Sequence, residues 1–334
     1  MLDMALGLKQ QLGIECFIVG REGAFIEKAK ALGLKAYAFN FGPDYNPKTI
    51  YLFWRLFQKE NIDRVIVNVG KDLRTAGIAA KLADIPVIHR VGLPGDMKNK
   101  IDVRLIDKWI RPTILVPCEF IKQGLLKTLP CLTANRIKVI YTGKQPSTQA
   151  PKKINQPLQF ISTSQLNPDK GHEFILKALY LLKQNGFKFH YHVVGTGRCE
   201  QELKELAKKL KLEKNISWYG FQKNVENILR QADMFILASY SEGLPNSLLE
   251  AMAEGLVCVA RDVGGVREIW PKDFLEGIIA FKSTPEDLAQ VLKGLLKLSK
   301  DDLLRLKTIF WQQIQNNFSL NNTVTRLYEF LTQI

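Results

Sequence analysis

Ser241-Glu242-Gly243-Leu244-Pro245-Asn246-Ser247-Leu248-Leu249-Glu250 is the stretch on which the reading of this chain turns. It follows the apolar, strand-like residues 234–237 and sets two carboxylates, Glu242 and Glu250, on either side of a Gly/Pro turn and a helix start. An apolar strand aimed into such a turn is the layout of a ligand site at the carboxyl end of a sheet strand. Asn246 is the expected N-cap, Ser247 opens the helix and Gly255 closes it, so free N–H groups after Asn246 point toward whatever fills the turn. A diphosphate suits that position. Glu242 and Glu250 are acceptors matched to a polyol. Glu254, four residues beyond Glu250, is a like-charged neighbour that mildly disfavours a helix in solution.

Outward from this stretch, short apolar runs alternate with amphipathic helical stretches. Strands are expected at 14–19, 36–39, 64–69, 87–89, 113–116 and 137–141, with helices at 46–60, 73–83 and 98–110. The pattern repeats with strands at 159–163, 190–194, 216–219, 234–238, 257–260 and 277–281. Such alternation predicts an α/β fold of parallel sheets covered by helices on both faces. Residues 146–157 are polar, contain three prolines and have no period, which makes them the expected linker. The expected organisation is thus a first Rossmann-like domain over 1–145, the linker, a second over 158–316, and a helix in 317–334 that crosses back to the first, the two doubly wound domains facing a cleft. Residues 1–12 already look helical, whereas a doubly wound domain ordinarily opens with a strand and a glycine turn. The first domain is therefore expected to be shortened at its N-terminal strand.

At 334 residues and 46% apolar composition the chain suits two domains. No apolar run approaches the roughly 18 residues of a spanning helix, and no leader pattern opens the chain, so a cytoplasmic protein is expected. Five scattered cysteines without a CxxC suggest neither disulfides nor zinc and read as small core residues. The net charge of +14 is uneven: residues 1–145 hold 23 Lys/Arg against 13 Asp/Glu, which accounts for +10 of it. Between Lys98 and Lys144, ten basic residues face three acidic ones, a composition suited to phosphates, an acidic glycolipid or an anionic membrane surface, and to a peripheral position at the inner face of a membrane. A solvated basic surface is the ordinary alternative. No C2H2 spacing, basic-region heptad or RNP-like strand accompanies the charge, so nucleic acid is not an expected partner.

Three further strand ends in the second half point to the same chemistry. Residues 161–172 run from a strand through Ser164-Gln165-Leu166-Asn167 into a Pro-Asp turn and a helix, with Lys170 beside the helix start, where a lysine suits a diphosphate. Gly195-Thr196-Gly197 lets a nucleotide approach the backbone. Phe221 follows a strand end and offers a ring to flank a base. Taken singly, Lys170 reads as an ordinary surface lysine after a Pro-Asp turn, the glycine turn is one in which many strands end, and core packing accounts for Phe221 equally well.

Together these residues resemble the retaining glycosyltransferases of the GT-B fold, family 4, with the Glu-x7-Glu string as the most specific part and a likeness that covers most of the chain. The resemblance implies that Glu242 contacts the donor sugar near the reacting carbon, Glu250 holds the ribose and Lys170 binds the diphosphate. Ser164, Gln165, Gly195, Gly197, Phe221 and the stretch Gly243, Leu244, Pro245, Asn246 and Ser247 line the donor pocket. Where the family carries arginine, this chain has Gln165, which hydrogen bonds but brings no charge to the departing diphosphate. In the first half, His89 is expected to orient the sugar or relay a proton, or to be a satisfied strand-end histidine. Lys71, Arg74, Arg90 and Lys98 are the acceptor-side candidates. The implied activity is transfer of a sugar, with retention, from a nucleotide-diphosphate sugar to a glycan or glycolipid, as in lipopolysaccharide or surface polysaccharide synthesis, with no metal or other cofactor. The alternative is a shortened, catalytically weak GT-B module that binds a nucleotide sugar or a partner.

Overall fold

The computed structural model describes residues 1–334, the side chain of Pro94 excepted. The chain forms two units, Met1–Thr142 with Leu320–Ile334, and Gly143–Ser319. Strands β1 (Phe17–Gly20), β2 (Lys35–Ala38), β3 (Val65–Val67), β4 (Val87–Arg90), β5 (Thr113–Val116) and β6 (Ile137–Val139) belong to the first. Strands β7 (Leu158–Thr163), β8 (Phe189–Val194), β9 (Ile216–Gly220), β10 (Met234–Leu237), β11 (Val257–Arg261) and β12 (Ile278–Ile279) belong to the second. Each overlaps an apolar run of the sequence, and every recorded pairing is parallel.

The second unit has one six-stranded sheet in the order β12-β11-β10-β7-β8-β9. Its order reverses between β7 and β10, and the crevice at the carboxyl ends of such a pair is where doubly wound sheets take their ligands. The strands are buried on both faces, and nearly every residue of β7, β8, β10 and β11 is inaccessible. Residues 146–157 are no free tether: Ser147 N–H donates to Ala253 O, Trp311 Nε1 donates to Ser147 O, and Asn155 N–H donates to the buried Asp233.

The first unit is built as two separate sheets, β1-β2 and β3-β4-β5-β6, with no strand pairing between them among the described residues. One face of the larger sheet is covered by Phe53 and Phe57 of the helix Pro47–Lys59, Ala79 and Ala80 of Ile78–Leu82, and Ile110 of Ile101–Ile110, all in one apolar cluster. The other face is covered by Met4 and Leu8 of the helix Leu2–Leu12 and by Val324, Leu327 and Phe330 of Leu320–Thr332. Asn46 caps the helix Pro47–Lys59, its Oδ1 accepting from Lys48 N–H at 3.1 Å. The expected continuous helix over 73–83 is instead a π-helical stretch, Leu73–Gly77, followed by Ile78–Leu82. Of the cysteines, Cys118 and Cys258 are buried, whereas Cys131 is exposed and Cys16 and Cys199 are half-buried, so the core reading applies to two of the five.

Candidate functional site

The turn after β7 and the turn after β10 meet at the switch point. Lys170 closes the 3-10 turn Pro168–Lys170, and its Nζ lies 2.8 Å from Glu242 Oε1, with Asp169 Oδ2 at 3.5 Å. Burial alone lowers the Lys170 pKa, but the Glu242 and Asp169 carboxylates outweigh it and raise the net value. Lys170 is therefore a cation at neutral pH. The two turns are also joined through the backbone, Tyr240 N–H donating to Asp169 O at 2.8 Å.

Glycine is required where these turns crowd. A Cβ at Gly195 would strike the Ser164 carbonyl oxygen, and the backbone there has φ +134°, a region open to glycine. A Cβ at Gly264, φ +57°, would strike the carbonyl oxygen of Glu242, while Gly265 N–H donates to Gly243 O at 2.7 Å. The turn after β11 thus props the Glu242 turn from behind. Ser164 Oγ lies 2.8 Å from His172 Nε2, and burial pushes the His172 imidazole down to about 4, which keeps it neutral. Asn167 Nδ2 donates to Gln165 Oε1 at 3.0 Å, so the Gln165 oxygen is occupied and its NH₂ is the end left to donate. Phe221 is 73% exposed beyond the end of β9.

The helix after the Glu242 turn starts one residue earlier than the sequence implies. It spans Asn246–Ala253 with Pro245 in the cap position and no side-chain cap, because proline supplies the extended geometry before the first turn. Asn246 and Ser247 are thus first-turn residues, and their N–H groups still lack partners within the helix. Leu244 and Pro245 are buried and Leu248 and Leu249 anchor the helix, so the turn is fixed by its apolar members. Glu250 and Glu254 do not confront each other, since Glu250 binds Lys144 Nζ at 2.7 Å and Glu254 accepts from Arg230 Nε and Nη2 at 3.0 and 3.1 Å.

Lys144 and Arg261 are members that sequence reasoning missed. Lys144 lies 106 positions from Glu250, and no local pattern joins them. Arg261, at the end of β11, is 1% exposed, with its guanidinium 4.2 Å from the Phe174 ring centroid and 4.5 Å from that of Tyr240. Its Nε donates to Ala238 O and its Nη1 to Phe281 O. It therefore fastens the root of the Glu242 turn, and burial lowers its pKa. The one available signal was a charged residue ending an otherwise apolar strand.

The remaining candidates all belong to the first unit. His89 is 3% exposed in β4, between Val67 and Ile114 in register, and burial pushes it down to about 4. Lys71 Nζ donates to Gly42 O at 2.6 Å, and Arg74 is paired with Asp44 at 2.6 Å. Arg90 is half-buried with its pKa lowered by burial, and Lys98 is exposed. In the second unit, a cavity of about 470 Å³ lies beside the Lys170 turn, bordered by Asn167, His172 and Tyr240. A larger one, about 600 Å³, is bordered by Gln159, Arg230 and Lys307 at the amino ends of the strands, away from these turns. Strand polarity, rather than size, decides between them.

Comparison with known proteins bears on the fold and the family. Residues 144–308 match the family model of glycosyl transferases group 1. The amylovoran biosynthesis glycosyltransferase AmsK of Erwinia amylovora is 29% identical over 235 residues, 66% of this chain and 56% of that protein. The putative colanic acid biosynthesis glycosyltransferase WcaL of Escherichia coli K12 is 27% identical over 73% of this chain and 65% of its own length. The chain thus spans between half and two thirds of these two relatives. An Escherichia coli UDP-Gal:alpha-D-GlcNAc-diphosphoundecaprenol alpha-1,3-galactosyltransferase is 25% identical, covering 84% of this chain and 78% of that one. In fold, a Rickettsia africae glycosyltransferase has a TM-score of 0.85 at 20% identity, covering 99% of this chain and 93% of its own. Anabaena Alr3699/HepE, solved in complex with UDP, has a TM-score of 0.80 at 16% identity, covering 100% and 96%. The sequence match over the second unit and the fold likeness over the whole chain agree on the glycosyltransferase superfamily and the GT-B fold.

Proposed function

We propose that this chain is a family 4 retaining glycosyltransferase that moves a sugar from a nucleotide-diphosphate donor to a hydroxyl of a glycan or glycolipid in cell-surface polysaccharide synthesis. The observation that carries the reading is the Lys170–Glu242 pair at the point where the second sheet reverses its strand order. Lys170 and the starts of the helices His172–Gln184 and Asn246–Ala253 supply positive charge for the departing diphosphate, so the reaction needs no metal. Gln165 adds a neutral donor. Glu242 accepts from donor-sugar hydroxyls, Glu250 from the ribose, and Phe221 flanks the base. Gly195, Gly197 and the backbone of Gly243 to Ser247 form the walls. His89 orients the sugar as a neutral imidazole, and Lys71, Arg74, Arg90 and Lys98 meet acceptor phosphates. The protein works in the cytoplasm, peripheral to the inner face of a membrane, and does not act on nucleic acid.

The relatives support the acceptor class, since their names place them in amylovoran and colanic acid synthesis and on a diphosphoundecaprenol-linked sugar. The UDP complex of the structural neighbour supports a nucleotide donor. A thermal-shift screen of UDP-, GDP- and ADP-sugars, followed by transfer to a polyprenyl-diphosphate sugar with and without EDTA, tests the proposal. Donor-dependent stabilisation and EDTA-insensitive transfer, lost in Glu242→Ala, are expected; absence of both sinks the reading. Gln165 in place of a cation favours a second reading, a binding module of low turnover. In that case Glu242→Ala leaves partner binding intact while no transfer is seen even in the parent chain.

A further inference from the structure

The helix Ile101–Ile110 turns Ile110 and the buried Asp107 inward and leaves a ridge outside. Ile101 is 78% exposed, Leu105 64% and Trp109 47%, and their spacing of four residues stacks them on one side of the helix. Arg104 and Lys108 border this ridge along one flank, with Lys98 and Lys100 just before the helix and Arg111 just after it. The ion pairs recorded in the first unit involve none of these five cations among the described residues. Asp102 is the one exposed carboxylate in this segment, since Asp107 is clasped by Arg136 at 2.9 Å through both oxygens. The neighbouring helices of the same layer continue the pattern. Leu82 is 61% exposed, and Tyr51 and Trp54 stack on each other at 6.2 Å on the outside of Pro47–Lys59, beside Lys48 and Arg55.

We propose that this outer face of the first unit, with the Ile101–Leu105–Trp109 ridge at its centre, docks on an anionic lipid bilayer. Bare aliphatic side chains flanked by lysine and arginine that no carboxylate neutralises among the described residues match the two layers such a surface offers, acyl chains below and phosphates above, although Arg104 Nε donates to Asn99 Oδ1 at 2.6 Å. Indole and phenol rings suit the boundary between them. The charge selects this occupant over others. A second copy of the chain would bring the same cations against themselves, and a nucleic acid would leave Ile101, Leu105 and Leu82 facing phosphate and water. The proposal names the surface behind the peripheral placement given above and rests on that reading for its biological setting only, because lipid binding is measured without sugar transfer.

The test is cosedimentation of the full chain with phosphatidylcholine vesicles and with vesicles containing roughly one-third phosphatidylglycerol, at low and high salt. Binding to the anionic vesicles alone, weakened by salt, is expected. Replacing Ile101, Leu105 and Trp109 together by serine lowers the partition coefficient about tenfold or more. Lys100→Glu with Arg104→Glu and Lys108→Glu abolishes the preference for phosphatidylglycerol, at about fivefold per cation. Both sets lie on the exposed side, and the charge set keeps the idea testable if the serine variant folds poorly. Equal binding to both vesicle types, no binding to either, or variants that bind as the parent overturns it. So does a dimer, by light scattering without lipid, that the serine variant loses. Lipid binding with no nucleotide-sugar shift removes the proposed function and leaves this surface standing; the reverse result removes only the surface.

Discussion

Each carboxylate of the Glu242/Glu250 couple is already bound to a lysine, Lys170 and Lys144 respectively, so a ligand using them must exchange one partner for another. The two exchanges differ in consequence. Lys144→Met removes a partly exposed pair of small worth and is expected to change donor affinity less than about fivefold by titration calorimetry. Lys170→Met removes the cation that the proposed function sets against the leaving diphosphate, and is expected to lower kcat about 10²- to 10³-fold in a transfer assay, with a smaller change in donor binding. The neutral histidines give a pH prediction. His89 and His172 are pushed by burial from 6.5 to about 4, so the unfolded chain takes up protons below pH 6.5 while the folded chain waits until about pH 4. Their contribution is fully present above pH 6.5 and is lost as pH falls toward 4, by up to about 1.4 kcal/mol per pH unit for each. Urea midpoints at pH 7.5 and 5 should show the loss, and His172→Gln should flatten it. At this scale the sequence was legible where charged residues follow strand ends, as at Lys170 and Glu242, which the structure brings within 2.8 Å of each other. It was silent where partners are remote, as for Lys144, or hidden in an apolar run, as for Arg261.

Turns and strands impose their own constraints. The Glu242 turn leans on Gly264, whose added methyl would meet the Glu242 carbonyl oxygen in a backbone region that strains other residues. Gly264→Ala is expected to displace that turn and reduce transfer at least about tenfold, whereas Gly294→Ala, where a methyl meets open space, leaves turnover unchanged. At the amino end of β10, Asp233 is 1% exposed and accepts from Gln159 N–H at 2.9 Å and from Asn155, with the buried Lys307 ammonium at 3.4 Å. Burial lowers the Lys307 pKa against the opposing pull of Asp233. Asp233→Ala strands that cation and should destabilise the second unit by about 3–5 kcal/mol in denaturant titration. Strand positions were legible because buried parallel strands read as short apolar runs. The π-helical Leu73–Gly77 was not, because one extra residue per turn leaves no mark in an apolar periodicity. The early start at Asn246 escaped because Pro245 assumed the cap position without a side-chain acceptor.

For the whole molecule, the division at Thr142/Gly143 falls a few residues before the expected end of the first domain, and the proline-bearing segment belongs with the second unit through Asn155 and Ser147. Composition marks a segment that makes no regular element, but says nothing of the hydrogen bonds that secure it. A donor at 100 times its Kd should raise the apparent stability of the second unit by about 2.7 kcal/mol, read by differential scanning calorimetry. The first unit carries a further consequence of its two sheets. β1 and β2 share four parallel rungs, Phe17–Lys35 through Gly20–Ala38, and nothing in β1 is fully buried, whereas β4 is flanked on both sides and buried at every residue but Arg90. A ladder that short is a small cooperative unit whose opening costs less than melting the core beside it. In deuterated buffer, the amides of residues 17–20 and 35–38 should therefore exchange well before those of 87–90, a clock for local breathing written into the way the first unit divides its strands.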